Sequence, residues 1–348
     1  MKKEIKVVGK ASEEIKKKEQ EKIERFYFDH LRSVSGFFDP KDIEEIRSLE
    51  YFKTPKEIQS IKIADKLTSD LMKGCGVDPY NIAPENIHIV PPELYKKLGK
   101  GGTLATAISP WGAALFNAEH FRGRPLLFCD SLIHELLHLK AYLSLEVNES
   151  KVNNKDDAKK TIRRQGVSLY GSQKNSFHEH FRGLDEAIVE ETTKRLFPKI
   201  FEFEEFKQEK EWLSSPEAQT KKEKYAKEYN IPKEEIIWVF PIDDKDLKRK
   251  FYENSYRSQR EVLKYVCEEI QKQFSDKFKN PDDVYKLFLK AHFDGNILEI
   301  GRLVEKTFGK SSFRVLGSMG EDENSAKLCL EHLKKARRIM LSKTKNKN

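Results

Sequence analysis

Residues 130–139 read DSLIHELLHL, which sets His134, Glu135 and His138 in an HExxH pattern. On an α-helix, residues four apart lie on one face about one turn apart. His134 and His138 can therefore direct two imidazoles at one metal ion, and Glu135 can reach a water held there. The helix is expected to begin at Asp130 or Ser131, either of which can cap it. Leu132, Leu136, Leu139 and Leu143 follow i, i+4, i+7 and i+11, a core-facing stripe that leaves the histidines on another face, as in a cleft wall. Without a metal, the same residues read as two surface histidines on an amphipathic helix.

A catalytic zinc takes three protein ligands and keeps one position open. Downstream, residues 181–191 read FRGLDEAIVEE, where Glu186 and Glu190 are again four apart. One carboxylate can bind the metal; the other can accept a hydrogen bond from the far nitrogen of a ligand histidine. The small Ala187 lets this helix approach the first. The plain alternative is a solvated acidic face. His178 and His180 lie just upstream, and His180 could take the place of Glu186. His120 is expected at a turn or surface. His30, His88, His292 and His332 lack ligand spacing and are expected in core or surface roles.

HELLH followed by GLDEAIVEE resembles the gluzincin clan of zinc metallopeptidases. The likeness implies that His134, His138 and Glu186 hold Zn2+, that Glu190 supports a ligand histidine, and that Glu135 is the general base. The gap between His134 and Glu186 is longer than in compact members, and the polar stretch 145–176 would fill it. Residues 255–263, SYRSQREVL, resemble the Tyr-x-x-x-Arg helix of small prokaryotic and phage gluzincins. By that match Tyr256 is the candidate donor to the oxyanion, with Tyr252 second. FDGNIL (293–298) through KTFG (306–309) resembles their closing helices. The likeness spans residues 84–317; residues 1–80, 199–250 and the tail have no counterpart in it.

The resemblance implies an α+β, zincin-like domain with a small mixed sheet, the HExxH helix and a helical C-terminal part. It also implies zinc-dependent hydrolysis of peptide bonds, by an endopeptidase rather than an exopeptidase. By order and analogy, the strand from Gly112 to Asn117, or its neighbour at 103–109, would hold an extended substrate by strand addition. The 161–178 hairpin would act as a flap. A competing reading keeps zinc and fold without turnover, as a binding or scaffold module.

Outward from the motifs, the chain divides into a helical N-terminal extension (1–80), a catalytic region (81–317) with a charged insertion (199–250), and a C-terminal helix with a basic tail (318–348). Residues 1–10 read as a tail or edge strand, and Ser12 to about Leu31 as an exposed helix. A second helix runs from Thr54, before Pro55, to Met72, with Ile58, Ile61, Ala64, Leu67 and Leu71 at helical spacing and Gly74 and Gly76 ending it. Short strands are expected at 86–91, 103–109 and 112–117, with a hairpin turn at Ser109-Pro110-Trp111-Gly112. TIRRQGVSLYG (161–171) reads as a hairpin and IIWVF (236–240) as a strand. The helix bearing Glu186 is expected to stop before Pro198, and 251–348 to be all helix.

Composition narrows the function classes. With 38% hydrophobic and 35% charged residues the chain is globular, not disordered. The net charge of +8 comes from 65 basic residues spread among 57 acidic ones, without a binding motif, so nucleic-acid binding is not expected. Cys75, Cys129, Cys267 and Cys329 form no CxxC pair, which argues against a cysteine zinc site, and their scatter fits a reducing compartment. No signal-like segment or run of 18 apolar residues occurs. The cytoplasm is therefore the expectation, with a peptide or protein substrate, no membrane, and an oligomeric state the sequence leaves open.

Overall fold

The computed structural model describes residues 5–26, 40–100, 103–108, 112–149, 158–173, 176–241 and 250–345. Strand β1 (Ile5–Val8) precedes helices α1 (Glu13–Phe26), α2 (Pro40–Leu49) and α3 (Pro55–Gly74). The end of the first expected helix, residues 27–31, lies outside the described residues. Helix α3 starts where expected because Thr54 and Glu57 cap it reciprocally. Thr54 Oγ1 accepts from the Glu57 amide at 3.2 Å, and Glu57 Oε2 accepts from the Thr54 amide at 2.7 Å. Ile61, Ala64 and Leu67 then join Leu132, Leu136 and Leu139 in one core. The boundary expected near residue 80 is therefore no break in the packing.

Strand β2 (Ile87–Val90), helix α4 (Pro92–Tyr95), strands β3 (Ala105–Ile108) and β4 (Ala113–Asn117) and helix α5 (Ala118–Phe121) follow. The three strands form a mixed sheet in the order β2-β4-β3. The expected substrate edge at 112–117 is thus the central strand, and β3 is the edge. All of β4 is buried, and a strand apolar on both faces belongs inside a sheet. The expected turn residues Ser109, Pro110 and Trp111 lie outside the described residues.

Helix α6 (Pro125–Lys140) carries the HExxH pattern. It starts earlier than the expected Asp130 or Ser131. Proline's fixed φ and missing N–H suit the first helical position, so Asp130 lies inside the helix. The helix ends at Lys140, which leaves Leu143 to the next strand. Leu132, Ile133, Leu136, Leu137 and Leu139 are all 0% exposed. The helix is therefore buried around its circumference, not amphipathic as expected. Its last turn is tied to α3 by the buried Lys140, whose Nζ meets Asp65 Oδ1 (2.7 Å), Thr68 Oγ1 (2.9 Å) and Ser69 Oγ (2.7 Å). A buried ammonium persists only with such partners.

Strands β5 (Leu143–Glu149), β6 (Ala158–Gln165), β7 (Ser168–Gln173) and β8 (Ser176–His180) form a second sheet ordered β1-β5-β6-β7-β8. Helix α7 (Arg182–Ile200) runs through Pro198, which near the helix end forfeits a single hydrogen bond. Helices α8 (Lys207–Ser214) and α9 (Pro216–Tyr229) and the antiparallel pair β9 (Ile236–Val239) and β10 (Phe251–Glu253) come next. Phe251–Glu253 is thus strand where helix is expected. The chain closes with α10 (Arg257–Gln273), α11 (Pro281–Asp294), α12 (Leu298–Phe308), α13 (Ser312–Gly317) and α14 (Glu323–Lys345). The fold is α+β with small mixed sheets. Among the described residues no helix is long and apolar enough to cross a membrane, and the four cysteines are free.

Candidate metal centre

Helix α7 packs on α6 with Ala187 fully buried. Its first turn also meets the loop at 319–320. A Cβ on Gly183 would stand 2.2 Å from the Gly320 carbonyl oxygen, so no larger residue fits there. This packing brings His134, His138 and Glu186 together, each offering a ligand atom within 4.8 Å of the others. Glu186 Oε2 lies 3.5 Å from His134 Nε2 and 3.3 Å from His138 Nε2. Ligands about 2.0–2.1 Å from a tetrahedral zinc stand about 3.3 Å apart. The observed spacing fits that tetrahedral edge. The other oxygen, Glu186 Oε1, is held by Arg182 Nη2 at 2.9 Å, which keeps Oε2 turned inward. Arg182 escaped sequence reasoning although it lies four residues before Glu186, a spacing that signals such a pair.

Both histidines have a carboxylate behind them. His134 Nδ1 is 2.8 Å from Glu190 Oε2, and Glu190 Oε1 accepts from the Ser255 amide at 2.5 Å. Such a partner fixes ring orientation and tautomer. Glu190→Ala is expected to weaken zinc affinity about 10–100-fold by competition with a chelating dye; unchanged affinity would reduce Glu190 to a packing residue. His138 Nδ1 lies 3.6 Å from Asp185 Oδ2. Asp185 Oδ1 in turn faces His292 Nδ1 at 3.0 Å and accepts from the Val167 amide at 2.9 Å.

Sequence reasoning assigned no site role to Asp185, and none to His292. The two His292 nitrogens face Asp185 Oδ1 at 3.0 Å and the Leu137 carbonyl at 3.1 Å. Gly166 belongs to this arrangement. Its φ is +56°, and a Cβ there would strike Asp185 Oδ1 at 2.2 Å. The β6–β7 turn thus seats against the Asp185–His292 pair.

Asp185 is held well below its ordinary pKa. Burial opposes this, but the charge of His292, the nearby His138 and the hydrogen bond from His292 prevail. Its stabilisation is present above the ordinary carboxylate pKa of about 4 and is lost as pH falls through the depressed value. Asp185→Ala is expected to cost about 3–5 kcal/mol in urea unfolding of the metal-free protein, since it strands a buried imidazole. A loss near zero would show that His292 does not depend on the carboxylate.

His134 opens onto a cleft of about 340 Å3 bordered by Glu135, Tyr252, Tyr256, Ile237, Ala105 and Leu127. The edge strand β3 forms one wall and the charged insertion contributes Ile237. Both candidate tyrosines reach the cleft. Tyr256 is set apart by its ring, which stacks on His134 at 6.4 Å and 15°. It holds a left-handed φ of 53° ahead of α10, a conformation costly for a bulky residue and common at functional sites. Among the described residues none of 161–178 borders this cleft; the turn at Gly166 seats instead against Asp185, beside His138. No family model, curated protein or solved structure matches the chain. What the centre can do follows from its own geometry.

The remaining histidines are elsewhere. His178 and His180 are exposed on β8, so His180 does not replace Glu186. His88 meets Glu50 at 2.8 Å, and His30 lies outside the described residues. A larger cavity of about 550 Å3 beside α10 is bordered by charges that pair with one another, including Arg260 with Glu235 at 2.6 Å and Arg195 with Glu191 at 2.8 Å. It holds no comparable set of ligand atoms among the described residues.

The centre is strongly coupled. Burial opposes protonation of His134, but Glu186 and Glu190 outweigh it and raise its pKa well above the usual value. His138 is raised to about 9 against its burial, chiefly by the charge of Glu186 and by Asp185. Glu186 is held well below the carboxylate range despite burial, by His138, His134 and Arg182. Cation binding must therefore displace imidazole protons. Burial raises the Glu135 pKa, and the two histidines only partly offset it.

Proposed function

We propose that the protein is a zinc-dependent endopeptidase of the gluzincin type, built on a zincin-like fold. The observation that carries the reading is the convergence of His134, His138 and Glu186 ligand atoms within 4.8 Å, with Glu186 Oε2 at 3.5 and 3.3 Å from the two imidazoles and Glu135 beside His134 in the cleft. Two imidazoles and one carboxylate suit zinc. When bound, the ion supplies Lewis-acid polarisation of a carbonyl and an acidified water.

The residues have separate tasks. Glu135 takes a proton from the attacking water and passes it to the leaving amine. The Tyr256 hydroxyl donates to the oxyanion, an effect worth about 3–4 kcal/mol in the transition state. The β3 edge pairs with an extended substrate, which favours cutting within a chain. A non-catalytic scaffold would leave Glu135 without a task.

The reading is tested by incubating zinc-loaded protein with a peptide library and counting new amino termini by mass spectrometry. Cleavage that a chelator abolishes is expected; none across the library would sink the peptidase reading. Tyr256→Phe is expected to lower kcat about 100–1,000-fold with little change in KM. An unchanged kcat would move the role to Tyr252 or to no tyrosine.

A further inference from the structure

The cleft above the centre is bordered by four carboxylates, Asp130, Glu135, Glu190 and Glu253, and by no lysine or arginine among the described residues. That is unusual in a chain whose 65 basic residues outnumber its 57 acidic ones. Glu135 and Glu190 have tasks already. Asp130 and Glu253 have none. Asp130 precedes His134 by four residues and so shares its face of α6. It is 8% exposed, and its Oδ1 has no hydrogen-bond partner among the described residues. A buried carboxylate without a counter-charge is costly, and native structures normally supply one. Burial, then the charge of Glu190, pushes Asp130 up to about 8, against the opposing charge of His134. Glu253 closes β10 at the exposed rim of the same cleft. Tyr252 also borders the cleft, and an aromatic ring is a surface that cations approach.

We infer that the cleft recognises a cationic group on its substrate, an ammonium or guanidinium, with Asp130 as the buried counter-charge and Glu253 as the outer acid. The inference deepens the peptidase reading and rests on it for the nature of the substrate. The cation has two sources in a peptide: a lysine or arginine side chain near the scissile bond, or a free amino terminus. A charge-lined cleft with low-dielectric walls also raises the local concentration of such chains.

The test uses three peptides of one sequence: lysine with a blocked amino terminus, norleucine with a blocked terminus, and norleucine with a free terminus. Binding to full-length Glu135→Gln protein with added zinc is read by fluorescence anisotropy, and cleavage by wild type is read alongside. The lysine peptide is expected to bind at least ten-fold more tightly than the blocked norleucine peptide. Asp130→Asn is expected to remove most of that difference while zinc content stays. Glu253→Gln, at the rim, provides the same comparison if Asp130→Asn does not fold. Preference for the free-terminus peptide would assign the cation to the chain end and still support the site. Equal binding of all three would overturn it. Preferential binding without any cleavage would overturn the peptidase reading alone, and cleavage without preference would overturn this inference alone.

Discussion

Glu186→Ala protein is expected to hold almost no metal after dialysis, where wild type holds one zinc per chain by elemental analysis. Glu186 Oε2 faces both imidazole Nε2 atoms, at 3.5 and 3.3 Å, from a side chain only 2% exposed. Its removal takes away one of three ligands. It also takes from Arg182 its inner partner, Glu186 Oε1, leaving Glu321 to hold the guanidinium near the vacated position. The loss should therefore exceed the roughly 10–100-fold expected for an outer partner such as Glu190. Circular dichroism of the variant would exclude unfolding as the cause. Equal zinc in variant and wild type would remove Glu186 from the ligand set and, with it, the gluzincin reading.

Glu135→Gln should behave in the opposite way, with zinc retained and cleavage lost. A positioned general base contributes about 10²–10⁴ in rate, or about 3–5.5 kcal/mol of barrier. Glutamine preserves the shape of a side chain that is 7% exposed, and its amide oxygen can keep the contact with the β3 backbone at Ala107. None of the three ligand atoms is touched. A kcat within a factor of a few of wild type would sink the base assignment, whatever the metal content. Reduced zinc in this variant would mean that Glu135 serves the centre as a structural group.

The two variants also separate metal binding from chemistry, which the pH dependence of wild type alone would merge. Acid weakens the centre twice. It reprotonates His134 and His138, whose raised values let protons compete with the metal. At lower pH it also discharges Asp185, behind His138.

What the sequence by itself determined about this protein is local. His134, Glu135 and His138 on one helix, and Glu186 and Glu190 on another, could be read because helical geometry fixes which residues share a face over four positions. The same rule held the signal for Arg182 beside Glu186, and a proline at the first helical position held that for the start of α6 at Pro125. The α+β character was implied by the family resemblance, and strands and helices legible one at a time agree with it.

The tertiary structure alone decided what those faces meet. Asp185 and His292 are 107 residues apart, and no periodicity links them. The exchange of central and edge strands between 112–117 and 105–108 is a matter of pairing partners. The turn of the hairpin expected as a flap seats behind the centre, where Gly166 leaves room for Asp185. The acidic lining of the cleft gathers Asp130 and Glu190 from two helices and Glu253 from a strand. Local propensity acts over a few residues along the chain, whereas burial and charge act through space between segments that only the packed core brings together.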